Sequence, residues 1–228
     1  MPRLIAALIR HGDYHQLPET PSAHQPFPLT DEGRKQAMQA AFKLQQQAQK
    51  EAWVIADQIH SSQLLRAWET ASIIAQQLET THSINDFAEL AERGMGSAAN
   101  LTIDQIETIV RDDPRFDPLP ADWKSNSHFC LPLQGAESLI QAGERVARHL
   151  EQAMQELASQ ASVDTVKVFV GHGAAIRHAA CQLGVLQFEE IARLSMFHAE
   201  PVYIEYSETG WAHVAGNWKI RQQETELD

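Results

Sequence analysis

The chain has 228 residues, 43% hydrophobic and 21% charged, the composition of an ordinary globular protein. Its formal charge of −12 excludes a general binder of nucleic acid or anionic membrane, since such partners need clustered Lys and Arg. Two cysteines, Cys130 and Cys181, in no metal-ligand spacing exclude a disulfide framework and read as buried free thiols.

Arg3 to Ile9 is an apolar run that predicts a short buried strand ending at Arg10-His11-Gly12. The run is too short for a signal-peptide core, and no stretch approaches the roughly 20 apolar residues that span a bilayer. A cytoplasmic protein without a membrane partner is expected. A Pro-rich loop follows from Gln16 to Pro28. Thr30 is a good N-cap, Asp31 and Glu32 suit the positive end of a helix, and Ala37, Ala41, Leu44 and Ala48 repeat at helical spacing. Trp53 to Ile59 predicts a second strand, leading into His60-Ser61-Ser62, and Gln63 to Leu78 a second helix. A weak strand at Ile84 to Phe87 precedes a turn with Gly94 and Gly96, then a helix over Thr102 to Arg111. Residues 112–134 carry Pro114, Pro118, Pro120 and Pro132 and read as an irregular flap, a length of loop that often covers a binding site. Leu139, Ala142, Val146, Leu150, Ala153 and Leu157 mark a long helix. Val166 to Val170 has the strongest strand character and ends at Gly171-His172-Gly173, before a helix through Arg177 to Leu183. A closing hairpin is expected from Pro201 to Tyr206 and Trp211 to Trp218.

Strands alternating with helices imply a three-layer α/β/α fold with a mostly parallel central sheet. We expect one catalytic domain over residues 1–220 and a polar tail at 221–228. Ligands of such sheets sit at the carboxyl ends of the strands. Three strand ends here carry polar clusters: Arg10-His11-Gly12, Ser61-Ser62 with Arg66 just beyond, and Gly171-His172-Gly173.

Those residue types suit phosphate-ester chemistry, which needs a nucleophile, donors around the phosphoryl oxygens and an acid for the leaving oxygen. His11 is the candidate nucleophile, and neighbouring cations favour its neutral ring. Arg10 and Arg66 offer fork-shaped donors for phosphate. His172, if protonated, adds another donor, and Gly12 and Gly173 would let the backbone approach the phosphate. Glu92 is the candidate acid and Glu89 its rival. No histidine arrangement suits a metal, and no cofactor is implied.

The segments "LIRHG" (8–12), "IHSSQLLRAWETA" (59–71, with Arg66 and Thr70), "LAERGMG" (90–96), "QGAESL" (134–139) and "VFVGHGAAIR" (168–177) together resemble the ordered motifs of the histidine phosphatase superfamily, which includes phosphoglycerate mutases. The resemblance implies the phosphoglycerate mutase-like fold and a phosphohistidine mechanism. His11 would be the nucleophile, with Glu92 and His172 catalytic beside it, and Arg10, His11, Arg66 and His172 would form the phosphate pocket. It implies a phosphorylated small molecule or a phosphoprotein as substrate. Mutases of the family carry Ser and Asn three and six residues after the nucleophile, where this chain has Tyr14 and Leu17, so a phosphatase is the expected branch and a cofactor-dependent mutase the alternative. Tyr14-His15 and "RLS" (193–195) also resemble the mitochondrial protein-serine/threonine phosphatase branch, without an equivalent of its membrane anchor. A catalytically silent phosphate-binding protein is the third possibility.

Several residues carry plainer expectations. Arg177, Glu137 and Arg145 are expected to brace the fold, and His24, His82 and His149 to lie on the surface. Trp53, Trp68, Trp211 and Trp218 should pack in the core or on the sheet. Trp123 and Phe129, in the flap, are candidates for covering a substrate.

Overall fold

A computed structural model describes residues 2–78 and 82–221. In chain order the elements are β1 (Leu4–Arg10), α1 (Asp31–Glu51), β2 (Val54–Ile55), β3 (Gln58–Ser62), α2 (Leu65–Gln77), β4 (Ser83–Phe87), α3 (Ile103–Asp112), α4 (Leu139–Gln160), β5 (Thr165–Gly171), α5 (Gly173–Gln182), α6 (Phe188–Ile191), β6 (Leu194–Ser195), β7 (Val202–Ser207), β8 (Gly210–Ala215) and β9 (Lys219–Ile220). The main sheet runs β4-β3-β5-β1-β7-β8, with β2 beside the start of β5. β4, β3, β5 and β1 are parallel, and β7 is antiparallel to both its neighbours.

The alternation of side chains along β1 explains the layers. Ile5, Ala7 and Ile9 face α1 and α2 with Val166, Val168 and Val170, while Leu4, Ala6 and Leu8 face α4 and α5 with Phe169. A strand covered on both faces is largely apolar, which is why β1 and, apart from Lys167, β5 read so plainly in the sequence. The three-layer α/β/α fold and its mostly parallel sheet are therefore as expected. Register then places the site. Arg10 lies opposite Gly171, and Ser61 opposite Val170, so the polar ends of β1, β3 and β5 come out side by side.

The run from Trp53 to Ile59 is not one strand. β2 pairs with β5 at Thr165 and Val166, the chain breaks at Ala56-Asp57, and β3 pairs with β5 again at Phe169 and Val170. Asp is a poor strand residue, and the break lets β3 take β4 on its other side. The second hairpin strand stops at Ala215, before Gly216, whose φ of 79° suits glycine. α6 and the small β6–β9 pair were too short to show a period. Residues 222–228 of the expected tail lie outside the described residues.

Between α3 and α4 the chain has no regular element, yet it is packed. Trp123 and Leu131 join Ala23, Met95, Ala98 and Ile106 in a small core of their own. Trp123 is 2% exposed and donates its indole N–H to Glu107 at 3.1 Å, so it holds the flap together and does not cover a substrate. Phe129 packs against the same cluster. Trp68 is 42% exposed on α2, against the expectation of a core position. Both cysteines are free, but Cys130 is exposed and Cys181 half-buried. Among the described residues no helix is long and apolar enough to cross a membrane.

Candidate active site

His11 follows the last residue of β1 and is buried. Its Nδ1 lies 2.7 Å from the Gly12 carbonyl, and its Nε2 lies 3.2 Å from Arg66 Nε. A carbonyl can only accept and a guanidinium can only donate, so Nδ1 carries the proton and Nε2 presents a lone pair. Burial holds the imidazole well below the usual histidine range, and Arg66, His172 and Arg10 push it further in the same direction. The ring is neutral at neutral pH, as a nucleophile must be, though burial outweighs the cations that the sequence pointed to.

Arg66, on the first turn of α2, is fully buried. Its Nη1 donates to the Gln25 carbonyl at 2.9 Å, and its Nη2 to the Ser22 and Ala23 carbonyls at 2.9 and 2.6 Å. The guanidinium lies 4.5 Å from the centre of the Tyr14 ring, which stands edge-on to His11 at 5.2 Å. The edge formed by Nε and Nη2 is turned to the two histidines, with Nη2 3.2 Å from His172 Nδ1. Glu69, the carboxylate that could have claimed Arg66, instead takes Arg34 at 3.0 Å.

His172 caps α5 and is buried. Its Nδ1 accepts from Arg66, so its Nε2–H donates to Ser62 Oγ at 2.9 Å. Burial first, then Arg66, lowers its pKa well below the ordinary value, so in this arrangement it is neutral. Arg10 donates from Nη1 to the Met196 carbonyl at 3.1 Å. Thr70, one turn beyond Arg66 on α2, accepts the Gly12 N–H at 3.0 Å and donates to the Arg66 carbonyl at 2.7 Å.

Packing constrains both glycines. A Cβ on Gly12 would lie 2.5 Å from the Gly33 carbonyl on α1, and one on Gly173 would lie 3.1 Å from Arg10 Cδ. Gly12 lets α1 dock on the nucleophile loop, and Gly173 leaves room for the Arg10 side chain.

Glu92 is half-buried and lines a cavity next to these residues, its Oε1 accepting the Arg93 N–H at 2.8 Å. Glu89 is exposed and acts electrostatically on His149. Arg145 of α4 donates to the carbonyls of Ala88, Glu89, Ala91 and Glu92 and is ion-paired with Glu137, which also accepts the Gly94 N–H at 2.8 Å. Arg177 donates to the Ile191 carbonyl at 2.9 Å and to that of Leu194.

The sequence named Tyr14, Ser62 and Thr70 without giving them a role at the site. Ser62 bonds His172, Thr70 bonds the Arg66 carbonyl, and Tyr14 packs on Arg66 and His11. His24, expected on the surface, is exposed but bonds the Glu92 carbonyl at 3.1 Å. His198 places its ring 5.7 Å from that of His11, across a bridge to Arg10. The polar Ser61-Ser62 at the end of β3 was the signal for Ser62. Nothing local marks His198, which the sheet brings in from a far segment. His149 is 7% exposed, its Nε2 3.0 Å from His60 Nδ1, well inside the molecule.

Comparison with known proteins bears on this geometry. The chain is 25% identical over 205 residues to the mitochondrial serine/threonine-protein phosphatase Pgam5 of Drosophila mojavensis, an alignment covering 89% of this chain and 58% of that protein. It therefore spans little more than half the length of that relative. Its fold matches a mycobacterial glucosyl-3-phosphoglycerate phosphatase solved with VO3, with a TM-score of 0.63, 22% identity and coverage of 96% and 98% of the two chains. It also matches a phosphoglycerate mutase from Bacillus anthracis, with a TM-score of 0.71, 17% identity and coverage of 94% and 92%. The model of the histidine phosphatase superfamily (branch 1) matches residues 6–219, nearly the whole chain, and the protein belongs to that family.

Proposed function

We propose that the chain is a metal-independent phosphatase that hydrolyses phosphomonoesters through a phosphohistidine on His11. The observation that carries this reading is the placement of His11, its Nδ1 on the Gly12 carbonyl and its Nε2 facing the Nε/Nη2 edge of Arg66. That edge presents two parallel N–H groups, a match for two phosphoryl oxygens. A phosphate seated there would replace the two imidazoles as the partner of the guanidinium, with Arg10 and His172 beside it.

Attack by Nε2 on phosphorus breaks the ester P–O bond, and Glu92 gives its proton to the leaving oxygen. The resulting Glu92 carboxylate then takes a proton from water, whose oxygen attacks phosphorus and breaks the P–N bond. Inorganic phosphate leaves and His11 returns to its neutral form. Negative charge on the bound phosphoryl group would draw a proton onto His172, whose lowered pKa reflects a site without that charge.

Hydrolysis is favoured over mutase chemistry by the residues after the nucleophile. Tyr14 is buried with its hydroxyl 2.8 Å from Ser22 Oγ, and the Leu17 side chain has no donor, so the loop after His11 lacks the two polar side chains that the family's mutases carry there. The substrate is a phosphorylated small molecule or a phosphoprotein, and the names of the relatives include both kinds.

Purified protein assayed on p-nitrophenyl phosphate with EDTA should turn over, and His11→Ala should lose activity by at least roughly a thousandfold while remaining folded. Acid quenching of the wild type would lose the phosphoenzyme, whereas alkaline quenching should retain it, as a P–N bond requires. Full activity in His11→Ala would overturn the mechanism.

A further inference from the structure

A cavity of about 610 Å³ adjoins the catalytic centre. It meets that centre through Glu92, through Ala23, whose carbonyl accepts from Arg66, and through Ala174, which follows His172-Gly173. Part of its wall is apolar, formed by Pro21, Met95, Ile103, Leu139, Phe188 and Ile191. Arg93 and Lys124 also line it, each half-buried, and neither side chain makes an ion pair or hydrogen bond with a described residue. The carboxylates that act on Arg93 are Glu92 and Glu137. Both are held elsewhere, Glu92 on the Arg93 backbone N–H and Glu137 on Arg145 and the Gly94 N–H.

A desolvated guanidinium costs free energy unless an anion meets it, and a chain of formal charge −12 has many carboxylates with which it could have been paired. Two carboxylates line the cavity, Glu92 and Asp122, and neither is ion-paired with Arg93 or Lys124; Asp122 accepts from Asn126 instead. We propose that this cavity receives the leaving group of the phosphomonoester, and that the leaving group carries a second oxyanion on Arg93 and Lys124 with an apolar body against the facing wall. The proposal rests on the phosphatase reading above. It narrows the substrate class to amphipathic phosphomonoesters with an acidic group remote from the ester. A cavity of this volume is within the range of sites that enclose a whole small molecule.

The test uses 4-(carboxymethyl)phenyl phosphate and its methyl ester, which differ in charge while sharing the reacting bond. Wild type should prefer the acid by roughly tenfold to a hundredfold in kcat/KM, the worth of a charge-assisted pair. Arg93→Met should bring that ratio close to one, and Lys124→Met should narrow it. A wild-type ratio near one, or a ratio unmoved by Arg93→Met, overturns the subsite. The corresponding phosphonates, which cannot be hydrolysed, report the same preference by calorimetric titration of the wild type. Binding preference without turnover of either ester defeats the phosphatase reading and leaves an anion site. Turnover without preference defeats the subsite and leaves the phosphatase.

Discussion

Thr70 shows how much of the site rests on single hydrogen bonds. It takes the N–H of Gly12, the residue whose carbonyl fixes the proton on His11 Nδ1, and ties it to the Arg66 carbonyl. One hydroxyl thus couples the nucleophile's tautomer to the first turn of α2. Thr70→Val keeps the shape but leaves a buried N–H without an acceptor, at a cost of about 1–3 kcal/mol. We expect its urea midpoint to fall accordingly, and its kcat to fall by about tenfold or more as the His11 ring loses its orientation. A variant with unchanged kcat would mean that the Gly12 peptide holds its place without Thr70.

Among the elements, α4 has a reach beyond its own packing. Ser138 caps it, its hydroxyl accepting the Gln141 N–H at 3.1 Å, and Glu137 just before the cap pairs with Arg145 two turns on. Arg145 then holds the carbonyls of the segment that carries Glu92. Arg145 is a positioning residue for the candidate acid, a connection invisible in the "QGAESL" motif alone. Arg145→Lys keeps the charge but has a single nitrogen and cannot span those carbonyls. We expect kcat to drop by roughly ten- to a hundredfold with KM changed much less, since a small misplacement of a catalytic group is costly. Equal losses in kcat and thermal stability across Arg145→Lys and Arg145→Met would point to a purely structural brace.

The whole molecule buries more histidine than its surface-like composition suggests. Burial lowers His60 to about 3 and His178 to about 4, and it is also the largest cause of the lowered values at His11, His149 and His172. The unfolded chain protonates these rings near the ordinary value of about 6.5, whereas the native state resists. The unfolded state therefore binds more protons below that pH. Stability should be full above about pH 7 and fall as pH drops through about 6.5, by up to about 1.4 kcal/mol per pH unit for each such ring. Ordinary carboxylates remain ionised in this window, so the loss belongs to the histidines. Urea titrations between about pH 7.5 and 5 should show a drop of at least about 2 kcal/mol, with a smaller slope in His60→Gln. A flat profile would contradict the burial of these rings as neutral groups.

By itself the sequence determined the layers and the reactive cast. Strands covered on both faces are largely apolar, and helices on a sheet repeat their apolar residues at helical spacing, so β1, α1, α4 and β5 were legible. His11, Arg66 and His172 were legible because polar groups stood where apolar strands ended. The tertiary structure alone decided what those groups do to one another. Hydrogen bonds from loop carbonyls and from a distant guanidinium set the tautomers, and no local pattern encodes them. Gly12 and Gly173 looked like phosphate-loop glycines, yet the constraint comes from α1 and Arg10, which meet them only in the folded chain. His149 and Trp68 exchanged their expected places for the same reason. Whether a helical position faces a neighbour depends on which neighbour arrives, and that is a property of long-range packing.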